Sequence, residues 1–218
     1  MIKKLLLGAA GGLGIGAITL VGAVSMQPDT SHIERTGLVH ARPEIVHGLV
    51  ADFKLWPQWS PWEAMDPTMA HTYSGAEKGE GAITTWKGNS DVGEGKMTIT
   101  KASPERLDIL LEFVAPFAAT NDTAFTFAAA EGGTQVTWIM DGENNFASKM
   151  FGMMVDMDAM IGADFERGLS QLDKVASAAE TTRKSEEEAA AAAAAAIAAA
   201  EPAAGEPGAP ATALPAGH

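Results

Sequence analysis

The chain has 218 residues, of which 46% are hydrophobic, so it is long enough for one domain with additional segments, or for two small domains, and for a substantial core. Its formal net charge of −13 argues against nucleic acid as a partner, because phosphate binding requires a basic surface. The absence of cysteine excludes disulfide bonds, thiolate catalysis and cysteine metal sites.

The N-terminal segment combines two lysines with a long uncharged run. Lys3 and Lys4 precede residues 5–26, and a helix over this run would be about 30 Å long, enough to cross a bilayer. We predict that residues 1–28 are a membrane anchor. Because lysines stay on the cytoplasmic side, the rest of the chain would lie on the periplasmic side of a bacterial inner membrane. The alternative is a signal peptide cleaved near residues 23–25, which would export the protein.

Three glycines in this run recur at every fourth position. Gly8, Gly12 and Gly16 would share one helix face, and small residues at this spacing let two membrane helices approach closely. The pattern would support a weak homodimer. Small residues are also common in membrane segments and signal peptides, and this plainer interpretation is favoured because the motif is short.

The C-terminal residues have the composition of a solvated acidic tail. The alanine run after residue 188 has high helix propensity, but Ile197 is its one large apolar residue. The Pro/Gly/Ala-rich sequence that follows is typical of disorder. We therefore predict three parts: the anchor or signal peptide over residues 1–28, a folded domain over residues 29–178, and a tail over residues 179–218.

The middle of the chain predicts a strand, a short helix and a series of further strands. The first strand is HIERTGLVHA, and Pro43 opens a helix with Ile45, Leu49 and Phe53 on one face. The stretch WPQWSPW, which we expect to be a loop, follows. The next segments are strand-like and are separated by turns such as NSDVG and AEGGT, which predicts an antiparallel meander. These segments are MAHTYSG, GAITTWKG, GEGKMTITKA, ERLDILLEFVAP, AATNDTAFTFAAA and TQVTWIMDG.

After Asp141 the apolar period becomes that of a helix. Apolar residues at spacings of three, four or seven predict one long amphipathic helix. They are Met150, Met154, Met157, Ile161, Phe165, Leu172 and Val175. An antiparallel sheet wrapped against this helix would bury the stripe.

Five segments of the chain carry a family resemblance: DFKLWPQWSPW, TYSG, VGEGKMTIT, TQVTWIMDG and MDMDAMIGADFERGLSQL. Together they resemble the SRPBCC superfamily, in particular its polyketide cyclase/dehydrase and lipid-transport branch, which is START-like and Bet v 1-like. The resemblance covers residues 31–178. It implies an α+β helix-grip fold, in which a curved seven-stranded antiparallel sheet surrounds the C-terminal helix and leaves a hydrophobic cavity. Members bind lipids, sterols, polyketides or other apolar molecules. A minority are enzymes, and they share no universal catalytic motif.

A cavity in such a fold would be lined by large apolar side chains. Strand alternation places Trp138 and Met140 on one face, and we expect Met154, Met157 and Ile161 to point inward from the helix. Large aromatic residues usually serve core packing, so each tryptophan also has that plainer interpretation. The predicted ligand-binding residues are Trp56, Trp59, Trp62, Trp86, Phe113, Phe125, Trp138, Met140, Met154, Met157 and Ile161.

Polar residues capable of catalysis or metal binding are scattered along the chain. Asp122, Asp141 and His40 are candidate acids or bases, but Asp141 precedes a glycine as turn residues do, and no pattern brings the three together. The histidines lack the spacing of metal ligands. They are His32, His40, His47, His71 and His218. We therefore predict no catalytic residue, no metal site and no cofactor.

The leading functional hypothesis is a membrane-tethered or exported protein that binds a hydrophobic small molecule, either a lipid or a polyketide-like compound. One alternative is a cyclase or dehydratase that acts in the same cavity, which would require a buried acid or base with a shifted pKa. The other is a non-enzymatic adaptor with a collapsed cavity, which would lack a pocket of several hundred cubic ångströms.

Overall fold

The structure is a computed structural model, and it describes residues 21–200. The strands are β1 (Thr30–Val39), β2 (Ala70–Gly75), β3 (Ala82–Lys87), β4 (Glu94–Ser103), β5 (Arg106–Ala115), β6 (Ala119–Ala130) and β7 (Gly133–Glu143). The helices that shape the domain are α1 (Pro43–Ala51), a 3-10 helix (Phe53–Gln58), α2 (Phe146–Gly152) and α3 (Met157–Ala200). The chain divides into two compact units after Glu180, and the unit that ends there contains the sheet.

All seven strands form one antiparallel sheet in the order β1-β7-β6-β5-β4-β3-β2. Strands β2 to β7 follow one another as hairpins, which is the meander that the turn sequences predict. Strand β1 pairs with β7, with Ile33 opposite Met140. In the β6–β7 turn Gly132 has a φ of 86°, a conformation that favours glycine. The predicted seven-stranded antiparallel sheet is confirmed.

Helix α3 packs against the sheet through an apolar stripe. Phe165, Leu169, Leu172 and Ala176 are buried, and their spacing places them on one helix face. Leu169 lies over Gly37 of β1, where a β-carbon would stand 3.5 Å from its side chain. The predicted α+β helix-grip fold is thereby confirmed.

Polar contacts also connect α3 to β1. The Arg35 guanidinium lies 3.0 Å from a carboxylate oxygen of Asp158 and 3.1 Å from one of Glu166. At the other end of the strand the backbone N–H of His40 donates to Asp173, and the His40 ring is 3.0 Å from the same carboxylate. Partly exposed ion pairs contribute little stability each, so these contacts serve mainly to align the helix with the strand.

The prediction of one long helix that starts at Met150 is wrong. The Asn145 side chain accepts the N–H of Ser148 at 3.0 Å and caps α2, which ends at Gly152. The Asp156 side chain accepts the N–H of Ala159 at 3.0 Å, so a second helix starts there. Two capped helices therefore replace the predicted single one.

The predicted anchor and the face of Gly8, Gly12 and Gly16 fall mainly on residues 1–20, outside the described residues. Between residues 21 and 200, none of the helices combines the length and the apolar character that a membrane span requires. In the predicted tail, α3 continues through the alanine run to Ala200. Residues 201–218 also lie outside the described part of the chain.

Candidate functional site

The first two tryptophans of WPQWSPW belong to the core and complete the end of α1. Trp56 and Trp59 are 5% and 0% exposed. The Trp56 indole N–H donates to the carbonyl of Val50 at 2.9 Å, and that of Trp59 donates to the carbonyl of Leu49 at 3.2 Å. Carbonyls in the last turn of a helix lack partners within the helix, so the two indoles supply the missing donors.

The expectation that this whole stretch is a loop is wrong for its first half. Residues Phe53–Gln58 form a 3-10 helix, and the Asp52 side chain caps it by accepting the N–H of Lys54 at 2.9 Å. Pro57 lies inside this helix, near its end. The short helix directs Trp56 and Trp59 toward α1 and the sheet.

Trp138 of β7 is the centre of an aromatic cluster. Its ring centroid lies 4.6 Å from that of Phe125, 5.8 Å from Trp59, 5.5 Å from Trp62 and 4.1 Å from Phe165. These rings come from β6, β7, α3 and the segment after α1. They fill the interior between β6, β7 and the part of α3 around Phe165, so this part of the predicted cavity is occupied by the protein's own side chains.

A glycine on α3 permits this close packing. A β-carbon at Gly168 would lie 2.8 Å from the Trp138 ring and 3.1 Å from Pro61. Both distances are shorter than ordinary contacts between carbon atoms. The absence of a side chain at this position lets the indole approach the helix backbone.

The rest of the concave face is apolar but only partly buried. Trp62, Met97, Met140 and Ile161 lie at the margin of the core with partial exposure, and Phe113 is half-buried too. Strand alternation places the strand residues among them on the same face as the core. The sheet therefore has a closed aromatic half and a more accessible apolar half that adjoins the first turns of α3.

Trp86 and Phe113 form a separate aromatic pair on this face. Their ring centroids are 5.6 Å apart and the rings meet edge to face. The Trp86 N–H donates to the carbonyl of Val92 at 3.0 Å. Its ring lies across Gly95 of β4, where a β-carbon would stand 2.3 Å away. This pair borders the accessible half beside the β3–β4 turn.

Two threonine hydroxyls on the concave face are buried without a partner among the described residues. Thr84 and Thr123 are 2% and 6% exposed, and neither Oγ1 atom makes a hydrogen bond. Thr84 is directly opposite Met97, and Thr123 is directly opposite Met140, so all four side chains point to the same side of the sheet. Buried polar atoms normally have partners, which makes these hydroxyls candidate ligand contacts.

A half-buried acid–base pair lies near the β2 edge, and sequence patterns missed it. The Glu63 carboxylate is 3.0 Å from the His71 ring, and the two side chains are 18% and 19% exposed. His71 stacks on Tyr73 and is directly opposite Trp86, which places it on the concave side. Burial raises the pKa of Glu63, although the adjacent His71 opposes this. The sequence signal for His71 was strand alternation in HTY of β2, which places the side chains of His71 and Tyr73 on the same face of the sheet.

The three residues considered for catalysis do not come together. His40 contacts Asp173 of α3. The Asp141 carboxylate accepts a hydrogen bond from the His32 ring at 2.7 Å, and Asp141 is directly opposite Asp122 on the convex side of the sheet. Over residues 21–200 the structure contains no group of three or more His, Asp and Glu side chains arranged to hold a metal ion.

Met154 does not point inward as we expected. It is 83% exposed, because α2 ends at Gly152 and Met154 lies in the connection to α3. With Met153 and Met157 it lines a surface cleft of about 470 Å³ that also includes Pro28. Of the predicted helix residues, Ile161 borders the concave face, and Met157 lies in this cleft and is half-buried. Ligand contact by the predicted residues stays a prediction.

A family model described as polyketide cyclase / dehydrase and lipid transport matches residues 30–177. The match spans the sheet, α1, α2 and the first part of α3, which are the elements that build the concave face. A search of curated proteins finds no match.

Several solved structures share the fold. The solution structure of KanY is 18% identical, covers 68% of this chain and 98% of that one, and has a TM-score of 0.52. The crystal structure of Ara h 8.0201 is 11% identical, with coverages of 68% and 99% and a TM-score of 0.51. An uncharacterized protein from Rhizobium leguminosarum is 13% identical, with coverages of 66% and 92% and a TM-score of 0.50. At these identities the likeness shows the fold alone.

Proposed function

The chain belongs to the polyketide cyclase/dehydrase and lipid transport family, and on this basis we propose that it binds a hydrophobic small molecule on the concave face of its sheet. The ligand is a lipid or a polyketide-like compound. We propose further that the domain acts on the periplasmic side of a bacterial inner membrane, tethered through residues 5–26, or free after export if that segment is cleaved.

One observation carries the binding proposal: two unpartnered buried hydroxyls share the concave face with partly exposed apolar side chains. The hydroxyls are those of Thr84 and Thr123, and the apolar neighbours directly opposite them are Met97 and Met140. Small-molecule sites combine a mostly apolar lining with a few placed polar groups. A ligand with an apolar body and a hydrogen-bonding group suits this combination.

The aromatic cluster limits where the ligand binds. Trp59, Trp138 and Phe165 are no more than 1% exposed and fill the closed half of the concave face. The ligand therefore lies beside them, along the partly buried side chains that extend from Met97 to Met140 and Ile161. Trp62 borders both halves, because its ring meets Trp138 and is itself partly exposed.

The test is to purify the full chain in a mild detergent and identify extracted small molecules by mass spectrometry. Titrations with a fluorescent fatty-acid analogue and a polycyclic aromatic probe would measure affinity. We expect Thr84→Val and Thr123→Val to weaken binding of a polar-headed ligand. Thr134→Val is the matched control, because its buried hydroxyl already donates to the carbonyl of Ala41 at 2.8 Å. A chain that carries no ligand and binds neither probe would contradict the proposal.

A further inference from the structure

One end of the sheet carries a group of exposed large apolar side chains, which we call the apolar end. It comprises Val114, Phe117, Phe146, Phe151, Met153 and Met154. Met154 is 83% exposed and Phe117 is 76% exposed. A group of large exposed apolar side chains at one end of a domain is uncommon on soluble proteins and indicates an interaction site.

The sheet topology places these residues at the same end. Phe113 of β5 is opposite Ala119 of β6, so the β5–β6 turn that carries Phe117 projects beyond this pair. Strand β6 continues alongside β7, with Asn121 opposite Gly142, which places the turn at the end where β7 finishes. Helix α2 begins at Phe146, directly after that end.

The N-terminal part of the chain enters the domain at the same place. The Asn144 backbone N–H donates to the carbonyl of Asp29 at 2.8 Å, and its side-chain amide donates to the carbonyl of Pro28 at 3.2 Å. Lys149 of α2 forms an ion pair with Asp29. The proposed membrane segment ends at residue 26, so its end lies within about 7 Å of Pro28 even if the chain between them is extended.

We propose that the apolar end is seated on the bilayer surface, with α2 and the Met153–Met154 connection inserted among the lipid headgroups. This rests on the proposed membrane tether, which brings the surface to the bilayer. Interfacial helices bind by burying an apolar face at the boundary of headgroups and acyl chains. The exposed phenylalanines and methionines of α2 and its connection supply such a face.

The charges beside the apolar end favour a zwitterionic surface over an anionic one. Lys149 is already paired with Asp29. Asp156 follows the exposed methionines and is exposed, whereas Asp158 is paired with Arg35. Acidic side chains are repelled by anionic headgroups, so the contact depends on apolar burial and not on attraction of charge.

The chain contains no cysteine, so a single introduced cysteine reports on one position. Met154→Cys, labelled with an environment-sensitive fluorophore, is reconstituted as the full chain into phosphatidylcholine vesicles with or without spin-labelled lipid. We expect a blue shift on reconstitution and loss of most of the emission when the quenching lipid is present. Glu131→Cys, in the β6–β7 turn at the opposite end, is the matched control and should show neither change. Phe151→Cys is the second reporter if a label at position 154 disturbs folding.

Vesicle flotation distinguishes the proposed membrane tether from the proposed seating of the apolar end on the bilayer. A chain that does not float with the vesicles overturns both proposals. If it floats while the label at position 154 stays in water, the seating is wrong and the tether stands. A label that is shielded but not quenched by lipid shows that protein covers this end, for example a second copy, and also overturns the seating. Stronger quenching after phosphatidylglycerol is added to the vesicles would show attraction to anionic lipid. That result would contradict a contact that depends on apolar burial. None of these readouts depends on ligand binding at the concave face.

Discussion

The indole of Trp138 is parallel to the phenyl ring of Phe165, with the ring centroids 4.1 Å apart and the planes 4° apart. Both side chains are 1% exposed. The stack joins β7 to α3 at the centre of the domain. It explains why this part of the concave face is a packed core and why the proposed ligand site lies next to it.

Phe165→Ala should lower the free energy of unfolding by about 3–5 kcal/mol, because it removes a buried ring and leaves a cavity under Trp138. Phe117→Ala is the control, since Phe117 is 76% exposed and exposed substitutions usually change stability by less than about 0.5 kcal/mol. Urea unfolding of the full chain in detergent measures both. Equal losses of unfolding free energy in the two variants would contradict a stabilising contribution from the stack of Trp138 and Phe165.

Trp56→Phe should destabilise the end of α1 by more than the loss of buried apolar area alone would. The change removes the donor to the carbonyl of Val50 and leaves a buried acceptor unpaired, which costs about 1–3 kcal/mol. Hydrogen exchange of the last turn of α1 should accelerate together with the loss of stability. Trp62→Phe, at a partly exposed position, is the comparison and should have the smaller effect. If α1 exchanges at the wild-type rate in Trp56→Phe, the capping role is refuted.

The three buried threonines should respond differently to valine. Thr134→Val should cost about 1–3 kcal/mol of unfolding free energy, because it leaves the Ala41 carbonyl without its donor. Thr84→Val and Thr123→Val remove hydroxyls that have no partner among the described residues, so the ligand-free protein should keep its stability or gain slightly. The measurement is urea unfolding after delipidation. A large loss for Thr84→Val would show that its hydroxyl has an internal partner.

Glu63 should make stability depend on pH in a defined direction. Burial raises the pKa of its carboxyl, so the folded state holds the proton more tightly than the unfolded state. Its contribution is fully present below the unfolded pKa and is lost as the pH rises through the folded pKa. The difference in unfolding free energy between the wild type and Glu63→Gln should therefore fall with rising pH across this window. A difference that rises with pH would show that the interaction with His71 outweighs burial.

The order of the elements was readable from the sequence because each one has a local period. Strand-like segments bounded by turn residues identified every strand of the sheet, and the apolar spacing of Phe165 and Leu172 identified the face of α3 that the sheet buries. The break between α2 and α3 was missed, because the methionines continued the helical spacing across it. Asp156 was the local signal, since a carboxylate of this kind often caps a helix.

The candidate site depends on contacts between residues that are distant in the chain. The local periodicity of the sequence contains no information on such contacts. Strand register places Thr84 opposite Met97 and Thr123 opposite Met140, but whether a hydroxyl finds a partner depends on how the sheet curves around α3. The meeting of Glu63 with His71 likewise depends on the path of the chain after α1. Periodicity and turn residues were therefore sufficient for the fold class and the buried faces. The division of the concave face into a closed aromatic half and an accessible half arises only when side chains from β6, β7 and α3 compete for the same volume.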